Sequence, residues 1–180
     1  MHHGQGSASM SAIAASDTLL NMAEISAAFA GFAALVSVLK ERDDRAGALH
    51  GILRLRIVIS TSVVVVAASL IPIGLANFAL SDRVVWGVSA ALFLALNYSV
   101  IYSFINSYKP VQGMFPPDRI AVILVSLLEI FDQAALILVI LNFWPDHDFP
   151  LYFAALVANI CQAAFVFLRF VGSEFIANAP

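Results

Sequence analysis

The sequence predicts an all-α membrane protein: a polytopic bundle of five transmembrane helices, with the N-terminus outside and the C-terminus cytoplasmic. Three observations predict it. Of the 180 residues, 61% are hydrophobic and 12% charged; a water-soluble domain carries about 25% charged residues, so this chain has too little polar surface to cover itself in water. Five runs are each apolar over the roughly 17–25 residues that a crossing needs. The basic residues between those runs sort onto one side of a membrane if the crossings number five.

Residues 1–16 are rich in Gly, Ser and Ala and hold no Lys or Arg. Without a cationic leader segment a secretory signal is not expected, and 1–16 reads as a disordered tail. The five-helix domain then covers 17–175, with helices over 18–39, 57–80, 84–107, 119–143 and 151–171 and a short tail over 176–180. Charge and turn formers fill the gaps. Residues 40–56 hold Lys40, Glu41, Arg42, Asp43, Asp44, Arg45, Arg54 and Arg56; 81–83 read Ser-Asp-Arg; 109–118 hold four Pro or Gly residues and end in Asp118, a suitable N-cap for the fourth helix. Residues 144–150 read Trp-Pro-Asp-His-Asp-Phe-Pro. Within the second helix, Pro72 lacks the N–H that would bond the carbonyl of Ala68, so a kink is expected there.

Five crossings place Lys40, Arg42, Arg45, Arg54, Arg56, Lys109, Arg119 and Arg169 on one side and Arg83 alone on the other. The cation-rich side is the cytoplasmic one. Trp86 and Trp144 then fall at the outer interface, where indole rings are favoured.

The net charge of −3 comes without any basic patch among aromatics, which argues against nucleic-acid binding. Cys161 is the single cysteine, so no intramolecular disulfide forms. No P-loop, GxGxxG, HExxH or CxxC pattern is present, so neither an enzyme nor a cofactor is expected. Asp146-His147-Asp148 carries metal-binding side chains, but three contiguous residues rarely complete a coordination shell, and no metal is expected there. His50 has no visible partner.

In the first helix Ala23, Ala27, Ala30, Gly31 and Ala34 form a small-residue stripe with Glu24 on its edge. Such stripes let helix backbones approach closely, so the stripe is expected to face a neighbouring helix and to shield Glu24 from lipid. The stretch from Ala23 to Ala33, Ala-Glu-Ile-Ser-Ala-Ala-Phe-Ala-Gly-Phe-Ala, resembles the first helix of small uncharacterised bacterial integral membrane proteins with an Ala-Glu…Phe-Ala-Gly-Phe pattern. That resemblance covers about a dozen residues and implies a bacterial inner membrane; it carries no functional residues with it.

The chemistry lies deeper. Glu129 and Asp132 are three apart in the fourth helix and share a face, which Ser126 and Gln133 extend. In the fifth helix Tyr152, Ala155, Asn159, Gln162, Val166 and Arg169 follow alternating spacings of three and four. At about 1.5 Å per residue, measured from the cytoplasmic helix ends, Glu129 lies about 15 Å deep, Asp132 about 20 Å, Gln162 about 14 Å, Asn159 about 18 Å and Asn97 of the third helix about 15 Å. All five cluster near the middle of a hydrocarbon layer about 30 Å thick. The expected contacts are Asn159 to Asp132 and Gln162 to Glu129. Arg169 shares the stripe but lies nearer the cytoplasm, where its head can reach the interface.

Two desolvated acids with no cation at their height cannot both ionise cheaply, so at least one neutral acid or a bound cation is expected. Ionisable groups inside a membrane are functional candidates; a neutral acid bonded to amides is also interhelical glue. The functional expectation is a small protein that conducts, transports or senses protons or cations. In it Glu129 and Asp132 bind the ion, Asn97, Asn159 and Gln162 form the supporting polar layer, and Glu24 and Arg169 are possible additions. The alternative is an accessory or assembly subunit of a larger membrane complex. Its expected partners are the lipid bilayer and either further copies of itself or other membrane subunits.

Overall fold

The computed structural model describes residues 11–39, 45–109 and 119–177. It is all helical: α1 Ser16–Leu39, α2 Arg45–Ala76, α3 Asp82–Tyr108, α4 Arg119–Leu141 and α5 Asp148–Ala177, with a single 3₁₀ turn Pro145–His147 leading into α5. All five carry segments long and apolar enough to cross a membrane, Ser16–Val38, Gly51–Ala76, Asp82–Tyr108, Arg119–Leu141 and Pro145–Gly172. By length and composition this is a multi-pass membrane protein.

Two helices run further than the hydropathy pattern alone indicates. α2 begins at Arg45 rather than near 57, and α5 spans Asp148–Ala177 rather than 151–171. An α-helix continues through polar residues wherever nothing breaks it, so apolar runs mark the membrane-embedded part and not the helix. Part of the tail expected over 1–16 is structured. Residues 12–15 form a turn, and Ala12 and Ala15 are fully buried in the core. Residues 1–10, the connections 40–44 and 110–118 with the expected Asp118 cap, and 178–180 lie outside the described residues.

The helices alternate in direction, so the bundle has two ends. At one, here the turn end, short links join α2 to α3 and α4 to α5. At the other, the basic end, lie the connections 40–44 and 110–118, and most of the Lys and Arg sit there or in the adjoining parts of the helices. α2, α3, α4 and α5 pack as a ring of four, and α1 lies outside it, almost wholly against α2.

The turn end is closed by backbone chemistry. Asn142 adopts a left-handed conformation (φ 55°), which Asn tolerates better than most residues. Its N–H bonds the carbonyl of Val139 at 3.1 Å and the N–H of Phe143 bonds Leu138 at 3.1 Å, the paired bonds of a Schellman motif. Below this end lies a dry core in which Trp86, Phe93, Leu136, Leu156, Val65 and Tyr152 are fully buried. Trp86 is therefore not an interfacial anchor as expected. It packs against Phe149 and Tyr152, with ring centroids 5.6 and 5.5 Å away, because its position on α3 faces the ring of helices rather than lipid. Trp144 is exposed.

α2 stays helical through Pro72. The carbonyl of Ala68 receives a bond from the hydroxyl of Tyr152 on α5, at 2.7 Å. A neighbouring helix supplies the donor that proline removed, as buried backbone in a membrane requires. A smaller cluster, Ala33, Leu55, Val58, Ala163, Phe167 and Phe170, packs α1, α2 and α5 together nearer the basic end.

Candidate functional site

Asp132 sits on α4 facing the interior and is completely buried. α3 and α5 each place one amide against it. Asn97 donates from Nδ2 to Oδ2 at 3.0 Å, and Asn159 donates from its own Nδ2 to that same oxygen. Both asparagines are buried. Three helices are thus tied through one carboxylate oxygen, while Oδ1 has no hydrogen-bond partner. The expected contact between Asn159 and Asp132 is present, and Asn97 joins it.

Glu129 and Gln162 do not pair as expected. Glu129 accepts at Oε1 from Nε2 of Gln133, one turn along its own helix, at 2.7 Å. Gln133 in turn accepts from the hydroxyl of Tyr98 at 3.0 Å. The i,i+4 geometry offers Glu129 a donor on a neighbouring turn of its own helix, and Tyr98 holds that donor in place. Gln162 is buried with its Nε2 unpartnered. No Lys or Arg is among the groups that act on Asp132; Glu129 is its charged neighbour.

Glu129 and Gln162 nonetheless meet the same space. A cavity of about 220 Å³ lies between α2, α3, α4 and α5 and is lined by Thr61, Asn97, Ser126, Glu129, Asn159 and Gln162 among apolar side chains including Ile57, Val100 and Phe104. The lining is mostly apolar with these polar groups set into it, and the volume is that of several water molecules, at about 30 Å³ each. Asp132 is just behind the wall formed by its two asparagines. A second cavity of about 220 Å³ abuts the first across Ile57, Val100 and Phe104 and runs on toward the basic end past Ser60, Ser99, Ser103 and Arg56. There the Arg56 guanidinium donates to Ser103 at 3.2 Å and to Ser107 at 3.5 Å. Toward the turn end the path stops: Phe93, Leu136, Val139 and Tyr152 fill the interior and are fully buried. The acid is approached from one side.

The remaining expected residues lie elsewhere. Arg169 is exposed, with its guanidinium 6.0 Å from the ring of Phe165. Glu24 is exposed on the outside of α1, not shielded by a neighbour. α1 packs on α2 through Leu19, Met22, Ser26 and Ala33, about half a turn around the helix from Glu24. Leu19 and Met22 meet Val64, Val65 and Ala68. That apolar surface offers a carboxylate no donor, and a polar group buried without one is costly. Of the small-residue stripe, Ala23 is buried but Ala27 and Gly31 are exposed.

At the turn end the structure adds a feature the sequence reading passed over. Arg83 donates to the carbonyls of Val139 at 2.5 Å and Ile140 at 2.6 Å, capping the last turn of α4 where carbonyls lack helical donors. It also lies 3.9 Å from Asp148, which is 4% exposed. Asp146 and His147 are exposed, and among the described residues no three His, Cys, Asp or Glu side chains come together. The signal was present: a lone cation on an otherwise uncharged side of the membrane needs a local reason to be there.

No protein-family model, curated protein or solved structure matches this chain.

Proposed function

We propose that this chain binds and releases protons at Asp132, exchanging them through the cavity with the basic end, as part of a transport or sensing cycle. The observation that carries the reading is a fully buried carboxylate without a cation beside it, held by Asn97 and Asn159 next to a cavity whose mostly apolar wall also carries Glu129 and Gln162. A structural acid needs no such access. The donor geometry favours a proton over a metal cation. Hard cations take oxygen ligands, whereas both asparagines turn their N–H groups to the carboxylate and so match an anionic oxygen. Oδ1, free of partners, is the atom that takes the proton. Glu129, on the cavity wall and tied to Gln133 and Tyr98, relays it.

The apolar seal between Asp132 and the turn end argues for an occluded, one-sided state rather than an open pore. In this reading the basic end is cytoplasmic, since eight of the nine Lys and Arg residues lie there, the N-terminus is outside, and the membrane is a bacterial inner membrane.

Reconstitution into liposomes loaded with a pH-sensitive dye tests it. Wild type dissipates an imposed pH gradient, or binds protons in a stoichiometric titration, and Asp132→Asn does neither. Equal behaviour of the two proteins, or no proton uptake by wild type across a range of pH and counter-ions, removes the proposal. The second reading, an accessory subunit of a larger complex, is favoured by the exposed carboxylate on α1. It predicts co-purification with other membrane proteins in mild detergent.

A further inference from the structure

The outward face of α1 has a pattern of its own. Asp17, Asn21, Glu24, Ala28, Gly31, Leu35 and Val38 follow one another at alternating steps of four and three, and all seven are exposed. That is a heptad spacing, the repeat that keeps one seam facing a partner helix in a left-handed pair. The seam lies opposite the residues that pack on α2, so it is free while the bundle stays intact. It is graded along its length: polar in the first third, small at Ala28 and Gly31, apolar at Leu35 and Val38.

We infer that this seam docks against the same seam of a second copy of the chain, forming a twofold dimer through α1. Copies inserted in one orientation bring their α1 helices together in parallel. A twofold axis between them then sets each level against itself: polar on polar, small on small, apolar on apolar. The Asn21 amide of one copy donates to the Glu24 carboxyl of the other, one turn away, and the reverse. Neither side chain has a hydrogen bond among the described residues, and a carboxylate facing lipid is costly unless it is paired. The exposed Tyr98, Ser99, Tyr102 and Ser126 lie on other outward surfaces but much further from the turn end than Glu24, so at its level those surfaces offer no such match. Their exposed residues in the spans include Val63, Leu70, Val88, Leu92, Ile130 and Ile137, against which Glu24 stays unpaired. Self-matching polar groups at one depth therefore select a second copy, related by a twofold axis, over a head-to-tail contact.

The inference is independent of proton exchange at Asp132, and its readout is association. In the full chain with Cys161→Ser, single cysteines are placed along α1 and oxidised in native membranes. Ala28→Cys, Gly31→Cys and Leu35→Cys cross-link to a band of twice the protomer mass. Ile25→Cys and Phe32→Cys, exposed but off the seam, cross-link at least roughly threefold less, as a heptad seam requires. Gly31→Leu lowers the dimer yield about tenfold by blocking close approach. It leaves the protomer folded, because the position is exposed and a Cβ there meets nothing within 4 Å. Glu24→Gln keeps the dimer and Glu24→Leu weakens it. Equal cross-linking on and off the seam, a monomer in native membranes, or seam cysteines captured by a different protein each overturn the inference.

Discussion

The two halves of this bundle use their paired polar groups differently, one to close helix ends and the other beside a cavity. In the turn half, Tyr152 satisfies the carbonyl that Pro72 leaves open, Arg83 takes two terminal carbonyls and faces Asp148, and aromatic rings close the rest. In the basic half two cavities adjoin, and at their inner end Oδ1 of Asp132 and Nε2 of Gln162 have no partner. Natural interiors seldom leave buried polar atoms unpaired. Both halves hold some, Ser69, Ser89 and Asp148 toward the turn end; what sets the other two apart is that they adjoin a cavity, where an unpaired polar atom can serve exchange. Polar residues in the turn half are therefore expected to govern stability, and those around the cavity to govern activity.

The largest effect that separates the halves is expected at Arg83. Arg83→Met keeps the length and apolar stem of the side chain but removes the guanidinium. That strands Asp148 and the carbonyl of Ile140, while Val139 keeps its bond from Asn142, a loss of about 2–3 kcal/mol in stability. Heating in detergent followed by size exclusion reads it as a lower temperature for half-loss of the monodisperse peak. Adding Asp148→Asn to Arg83→Met returns part of the loss, since a neutral amide is easier to leave unpaired than a carboxylate. If Arg83→Met is as stable as wild type, the turn half does not owe its closure to the clamp.

A smaller effect, with a sharper control, concerns Tyr152. Tyr152→Phe leaves the carbonyl of Ala68 without a donor and costs about 1–2 kcal/mol. In a Pro72→Ala background the backbone N–H of residue 72 is restored and can bond that carbonyl along the helix. The same Tyr152→Phe change then costs close to nothing. The coupling is measured as a double-mutant cycle on the same thermal assay. Additive losses show that the hydroxyl acts through something other than the proline gap.

Much of this contrast was legible in the sequence, and the part that was not has a consistent cause. Helix number, the open carbonyl at Ala68, and the meeting of Asp132 with Asn159 follow from hydropathy, proline chemistry and depth along a regular helix. All three are properties of single helices or of height in the bilayer. What failed was rotation about the helix axis. Glu24 was assigned inward, Trp86 outward and Gln162 toward Glu129, and each depends on which neighbour a face meets. In a helix apolar nearly all round, hydrophobic pattern does not say which side is buried. Within hydrocarbon that ambiguity is general, because lipid and protein interior favour the same side chains. The pairing of Glu129 with Gln133 was missed for a related reason: a donor one turn along the same helix competes well with one on a neighbour.

The smallest expected change in stability is at Gln162, and it is the one that tests the division most directly. Gln162 is buried, on the cavity wall, with Nε2 unbonded. Gln162→Met has similar volume and removes an unsatisfied donor. Replacing such a group by an apolar one of like shape is close to neutral or stabilising. The thermal midpoint is expected to shift by the equivalent of no more than about 0.5 kcal/mol, in either direction. Proton exchange in the liposome assay is expected to slow, because a polar group lining the route to Asp132 has gone while the acid and its two asparagines remain. A buried turn-half residue shows the reverse: Tyr152→Phe loses stability and, once reconstituted, keeps its exchange rate. If Gln162→Met instead unfolds the protein, the amide is structural, and the cavity wall belongs with the cohesive half of the molecule.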